Sequence, residues 1–234
     1  MLIRLRPVDA LVAWVLNLGV PLLAAVAWLV AVGVEPGWLI ESALRLLAAL
    51  LLLFWLRSRR DIGWGALRQL LSSASRHVWI GAAVGLAWAV VVYSAVVAWQ
   101  WIDRTPNLGD GTWNPWVATQ SLVGPYAGYF IALVLIGPLV EEFVHRGVAF
   151  GALQSRFGIT VAAVVSSVVF ALGHEWVPSR LVDTFLSGLI YVWLTHRYRS
   201  LAPALAAHVV GNGAVFASGW AAYNIFGVPG RLPS

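Results

Sequence analysis

A chain of 234 residues that is 60% hydrophobic and only 11% charged, with a mean hydropathy of +0.81, carries less than half the charge usual for a soluble domain, roughly 25%. This points to a membrane protein, read as one membrane-embedded domain over 1–234 because no polar stretch is long enough to fold as a second. The net charge of +5 arises from 15 basic residues, all arginine, against 10 acidic ones, and there is no cysteine, which excludes disulfides and thiolate metal sites and argues against nucleic acid as a partner, since the arginines form no basic stripe.

In chain order, seven segments approach the roughly 20 apolar residues that cross a bilayer as a helix: 8–33, 37–56, 78–101, 125–153, 159–175, 181–196 and 202–218, with a short eighth piece at 219–228. The expected fold is therefore an all-α, polytopic bundle of about seven to eight transmembrane helices. The first run follows Arg4 and Arg6 without a small-residue cleavage site and is read as a retained span. The connection after the second run holds Arg57, Arg59, Arg60, Arg68 and Arg76 and is assigned to the cytoplasm. Threading from there puts Arg4, Arg6, Arg156, Arg197 and Arg199 inside with the N-terminus, Arg104 and Arg180 outside, and Arg45 and Arg146 within spans. Trp99, Trp101, Trp113, Trp116 and Trp176 then fall near the outer interface, where amphipathic rings prefer to lie. The stretch 58–77 alternates basic and apolar residues and reads as a helix on the inner leaflet, and 102–124 as an ordered outer loop. A basic set without lysine suggests a GC-rich, bacterial source and hence the inner (cell) membrane.

The fourth span contains PLVEEFVHRG at 138–147. A charge near mid-bilayer costs about 2.5–3.5 kcal/mol on an insertion scale, so Glu141, Glu142 and Arg146 must be paired or hydrated. Residues four apart share a helix face, so Glu142 is expected to pair with Arg146, and Glu141 to face His145. Glu41 and Arg45 on the second span are expected to pair in the same way. Glu141 has no fixed cation nearby in sequence and needs a partner from another helix, or water.

Two further polar groupings supply candidates: FALGH, with Phe170 and His174, and HVVGN, with His208 and Asn212 on one face. The fourth and fifth spans are expected to form a hairpin about Phe157 and Gly158, which puts Glu141 and His174 both about 25 Å along their helices from the turn. From the turn near Ser200, His208 and Asn212 lie about 12 and 18 Å along theirs, which tilt brings toward the same layer. Three helices thus present Glu, His, His and Asn to one cavity. Such a set suits hydrolysis: a glutamate to deprotonate water, a histidine to hold that water, and a histidine with an asparagine to donate to a developing oxyanion. Two histidines and a carboxylate are also acceptable zinc ligands, but the H-E-x-x-H helix is absent, so a metal is permitted and not required. Ser166 and Ser167 have no G-x-S-x-G context.

These three elements, EEFVHR at 141–146, FALGH at 170–174 and HVVGN at 208–212, resemble the CAAX-protease and bacteriocin-processing family of intramembrane proteases, which includes the CAAX prenyl endopeptidases. The resemblance covers roughly 120–218, the expected catalytic core, and extends to Pro138, Gly147 and SLAPALAAH before His208. It implies that Glu141 and His174 activate the attacking water and that His208 and Asn212 stabilise the oxyanion. Glu142 and Arg146 fill the remaining motif positions, with an orienting role. The family usually has an aromatic residue just before the motif arginine; here His145 stands there, read either as a hydrogen-bond partner of Glu141 one turn away or as simply facing an interface or another helix. The function this implies is an intramembrane endopeptidase acting on a membrane-associated protein or peptide. A non-catalytic scaffold or bacteriocin-immunity protein is the alternative. A transporter would spread its polar residues along a path between both faces, and here they share one layer.

Overall fold

The computed structural model describes residues 5–33, 38–60, 62, 64–103, 128, 130–174 and 178–226. Among these every regular element is a helix. Helix α1 runs Pro7–Val32, α2 Trp38–Arg60, α3 Trp64–Leu71 and α4 Ser75–Asp103. The helical stretch Ile131–Leu172 is broken at Gly158, whose φ of 81° and ψ of 171° no side-chain-bearing residue adopts easily. It is therefore two helices, α5 (131–157) and α6 (159–172). Helices α7, Pro178–Tyr198, and α8, Ala202–Phe226, complete the described residues. The protein is an all-α, polytopic membrane bundle in which each of the seven expected spans contains a helix among its described residues.

Three of these stretches are long and apolar enough to cross a bilayer by length and composition: Pro7–Val32, Ser75–Ala95 and Ile131–Leu172, the last including the break at Gly158. On α1, Leu22, Leu23 and Val30 are exposed, a face suited to lipid and not to water. Two expectations need correction. The helix expected over 58–77 is divided: α2 continues to Arg60, only Trp64–Leu71 forms α3, and α4 already begins at Ser75. The piece at 219–228 is no separate element over its described part, because α8 continues unbroken to Phe226. Of the outer loop expected at 102–124, residues 102 and 103 still belong to α4 and the rest lies outside the described residues, as do Arg4, Arg104, Trp113, Trp116 and Trp176 and the side chains of Trp99 and Trp101.

Prolines shape the long helices. Pro21 and Pro138 have no N–H to give the carbonyl four residues earlier, and their rings press on it. The wider π turns Val15–Gly19 and Ile131–Ile136 stand just ahead of them and absorb the mismatch.

The arginine-rich segments gather at one end. Buried Asp9 on α1 accepts from Arg60 Nε of α2 at 2.9 and 3.1 Å and from the Arg6 backbone at 2.6 Å. Ser155 Oγ near the end of α5 reaches the Leu5 carbonyl at 3.3 Å. The α7–α8 turn docks on α3 through Leu201 N to the Leu70 carbonyl at 2.7 Å, joined by Ser200 Oγ at 3.1 Å. Arg6, Arg57, Arg59, Arg60, Arg156, Arg197 and Arg199 therefore belong to one end of the bundle, as the charge pattern requires.

Helix α8 is pressed against α4 at Gly81 and Gly85, one turn apart. A Cβ at these positions would collide with the carbonyl oxygens of Pro203 and Ala207. This is the small-residue packing that lets membrane helices approach backbone to backbone. Gly85→Val is expected to lower stability by at least about 1–3 kcal/mol, the scale of an overpacked core, because a carbonyl cannot rotate away as a side chain can. Thermal unfolding in detergent, followed by circular dichroism, checks this; a variant as stable as the parent would contradict the close crossing.

Candidate active site

The hairpin about Gly158 runs α5 and α6 antiparallel and brings residue 141 level with 174 and 146 level with 170. His174 Nε2 lies 3.9 Å from Glu141 Oε2, and the Arg146 guanidinium lies 4.2 Å above the centre of the Phe170 ring. Helix α8 contributes His208, whose Nε2 is 3.7 Å from the same Oε2. Two imidazole nitrogens thus converge on one oxygen of one carboxylate. The other oxygen, Oε1, is held by Arg45 Nη1 of α2 at 3.0 Å.

Arg45 was expected to pair with Glu41 and instead reaches across to α5. The reason is energetic: an i,i+4 pair is worth only about 0.2–0.5 kcal/mol, whereas Glu141, nearly buried, would otherwise carry its charge without a fixed partner. The partner demanded from another helix is therefore Arg45.

The brace is as expected and more extensive. Arg146 donates from Nη1 to Glu142 Oε1 at 3.0 Å and from Nη2 to the Gly188 carbonyl of α7 at 3.3 Å. Its plane is covered by Phe170 and, at 5.1 Å, by Tyr191. Gly188 is needed here, since a Cβ would come within 3.0 Å of Ser167 and 3.3 Å of Arg146 Nη2. Glu142 Oε1 also faces His208 Nδ1 at 2.9 Å. Tyr191 stacks on the His208 ring at 4.8 Å and 20°, and Phe170 meets it edge-on at 5.9 Å.

These contacts assign tautomers. His174 Nδ1 lies 2.8 Å from the Phe170 carbonyl, which can only accept, so Nδ1 carries the proton and Nε2 presents its lone pair toward Glu141. His208 Nδ1 likewise donates to Glu142. Its Nε2 becomes a donor only when both ring nitrogens are protonated.

Asn212 is placed differently from its expected partners. Its Nδ2 donates to the Leu133 carbonyl of α5 at 2.9 Å, eight residues before Glu141 and within the π turn Ile131–Ile136. A π turn disturbs the regular carbonyl ladder, and Asn212 satisfies one of its carbonyls. One amide N–H is thereby engaged on α5. His145, for which a hydrogen bond to Glu141 is one of two readings, packs its ring against Phe170 at 5.2 Å, and its Nδ1 has no hydrogen-bond partner among the described residues.

Glu141, Glu142, Arg146, His174 and His208 thus meet in one cluster, with Asn212 at its margin. Sequence reasoning missed Arg45, Tyr191 and Gly188. An arginine inside an apolar helix is signal enough for Arg45, had the local pair not satisfied it; nothing in the sequence marks Tyr191 or Gly188.

Among the described residues no three His, Asp or Glu side chains are arranged to hold a metal ion. His208 Nδ1 and Glu141 Oε1 are engaged by Glu142 and Arg45, which leaves His174 Nε2, His208 Nε2 and Glu141 Oε2 as the atoms that face the space between them.

What the cluster can do follows from Glu141 Oε2. Separations of 3.7 and 3.9 Å exceed a direct hydrogen bond, yet a water oxygen can lie about 2.8 Å from the carboxylate and from either histidine at once. Because Arg45 fixes the carboxylate's orientation, Arg45→Met is expected to slow any reaction at this oxygen by about 10- to 100-fold, the scale of a small misplacement of a reacting group. Arg45→Lys should restore part of the rate. Turnover of both variants at matched folding checks this, and parental rates in Arg45→Met would contradict it.

Residues 123–214 match the family described as type II CAAX prenyl endopeptidase Rce1-like. The chain is 29% identical over 143 residues to the membrane-embedded CAAX protease MroQ of Staphylococcus aureus (strain USA300), an alignment covering 56% of each chain. It is 30% identical over 78 residues to a Bacillus subtilis (strain 168) protein that carries the name membrane peptidase YdiL, covering 33% of this chain and 32% of that one. These matches span about half or less of the length of those relatives. No solved structure matches the chain. The resemblance read from EEFVHR, FALGH and HVVGN is therefore shown, and Glu141, Glu142, Arg146, His174, His208 and Asn212 all fall within 123–214, whereas Arg45 lies outside it.

Proposed function

We propose that this protein is an intramembrane endopeptidase that hydrolyses a peptide bond by attack of a water molecule deprotonated by Glu141. The observation that carries this reading is the convergence of His174 Nε2 and His208 Nε2 on Glu141 Oε2, with Oε1 tied to Arg45. Water held at Oε2 loses its proton to the carboxylate as its oxygen attacks the scissile carbonyl, and His174 Nε2 orients it by accepting its second O–H. The oxyanion that forms is met by His208 Nε2, when that ring is doubly protonated against Glu142, and by the second N–H of Asn212. Collapse of the tetrahedral intermediate passes the proton from Glu141 to the leaving amine. Glu142 and Arg146 touch neither water nor substrate; they hold His208.

The substrate is a membrane-associated protein or peptide, with CAAX-type processing as the candidate suggested by the Rce1-like match. On this reading the chain is one membrane-embedded unit in a bacterial cell membrane, with the arginine-rich end and the N-terminus in the cytoplasm. His174→Ala is expected to reduce cleavage by about 10²-fold, the scale of misplacing a reacting group, without loss of fold. Cleavage of a membrane-associated peptide by the refolded-to-parent variant at the parental rate would overturn the proposal.

A further inference from the structure

At the arginine-rich end a separate polar cavity of about 540 Å³ lies between the C-terminal part of α5, the end of α7 and the α7–α8 turn. Its volume falls in the range of about 300–1,000 Å³ typical of ligand pockets. Arg197, Arg199 and His196 line it, Arg146 closes its inner wall, and no Asp or Glu is among the described residues that form it. The arginines that are buried or half-buried in the bundle are matched: Arg45 with Glu141, Arg60 with Asp9, Arg146 with Glu142 and Arg180 with Asp183. Arg197 and Arg199 form no ion pair among the described residues; Arg197 only leans on the Tyr198 ring at 5.6 Å.

Two further observations single this place out. Thr195, on the cavity wall, has an Oγ1 that is buried without a hydrogen-bond partner among the described residues, a state that water or a ligand can relieve. Arg199 has a φ of 51°, the only positive φ of a non-glycine among the described residues. A left-handed conformation costs an ordinary residue roughly 1–2 kcal/mol, and such strain collects where a side chain is held for a purpose. The position would suit glycine better if only a turn were required.

We infer that this cavity binds the phosphate of an anionic phospholipid headgroup, with Arg197 and Arg199 as charge-assisted donors and Thr195 as a hydroxyl donor. Guanidinium forks match phosphate oxygens, and basic pockets between membrane helices at the interface take such headgroups. A lipid is favoured over free phosphate because the cavity lies at the end of the bundle where the arginines gather, level with the headgroups, and because Phe150 and Leu201 give it apolar wall against which the root of an acyl chain can rest.

The test uses the full chain, delipidated in a nonionic detergent and titrated with phosphatidylglycerol, phosphatidylcholine or inorganic phosphate, with adducts counted by native mass spectrometry. Phosphatidylglycerol should bind at least about tenfold more tightly than phosphatidylcholine. Arg197→Gln with Arg199→Gln should weaken it by about thirtyfold, from roughly one kcal/mol per basic residue at the surface, and Thr195→Val by a smaller factor. Arg59→Gln with Arg156→Gln removes the same charge from the same end but outside the cavity and should leave binding unchanged. Equal losses in the two double variants would show a general surface-charge effect and overturn the inference. So would equal binding of the two lipids, or occupancy by inorganic phosphate with no preference for the lipid. Arg197 and Arg199 are exposed, so their replacement leaves the fold intact.

Discussion

Replacing Glu141 by Gln is expected to lower peptide cleavage by at least about 10³-fold while the protein remains folded. The glutamine fills the same space and can still accept a hydrogen bond, but it cannot take a proton from water, and a positioned general base contributes typically about 10²–10⁴-fold. The loss should sit toward the upper end because two histidines aim at this one oxygen and have no alternative base beside it. Glu142 is no substitute: its Oε1 is shared between Arg146 and His208, on the far side of the His208 ring. Folding is expected to survive because Arg45 is half-exposed and can turn to solvent once its partner is neutral. Single-turnover cleavage with purified protein, paired with a melting curve, measures both quantities, and a Glu141→Gln variant with parental turnover would remove Glu141 from the chemistry.

Arg146→Met is expected to act on stability, by about 3–5 kcal/mol, which is what leaving one member of a buried ion pair without its partner typically costs. Arg146 and Glu142 are both about 1% exposed at the side chain, so solvent cannot screen the orphaned carboxylate. The arginine also supports the Gly188 carbonyl and lies between the Phe170 and Tyr191 rings, contacts that methionine replaces only in part. Combining Glu142→Gln with Arg146→Met removes both charges and should recover part of the loss, since a buried pair can often be replaced by neutral groups at little net cost. Thermal unfolding of the two variants in detergent decides between this and a merely decorative pair: a single variant as stable as the parent, or a double variant worse than the sum of its parts, would contradict the brace.

The seven helices and the level placement of Glu141 and His174 were readable because both depend on lengths alone: apolar runs of bilayer size, and a glycine at 158 about which two helices fold back. The Glu142–Arg146 pair was readable because i,i+4 geometry is local. Arg45 was not, since the same local rule favoured Glu41 and no one-dimensional rule says which of two carboxylates is the less well solvated. The contact of Asn212 with the Leu133 carbonyl was hidden for a related reason: it depends on the π turn ahead of Pro138, and the argument from depth assumed a regular α-helical rise. The close crossing of α4 and α8 was written as GAAVG at 81–85 and escaped notice because those glycines carry no charge to explain.

The most direct measurement of the central claim is a comparison of protein termini in membranes from cells expressing the parent chain and Glu141→Gln at equal levels. The account predicts at least one membrane-associated protein whose new C-terminus appears with the parent and is absent with Glu141→Gln. Identical sets of termini in the two membranes would contradict it.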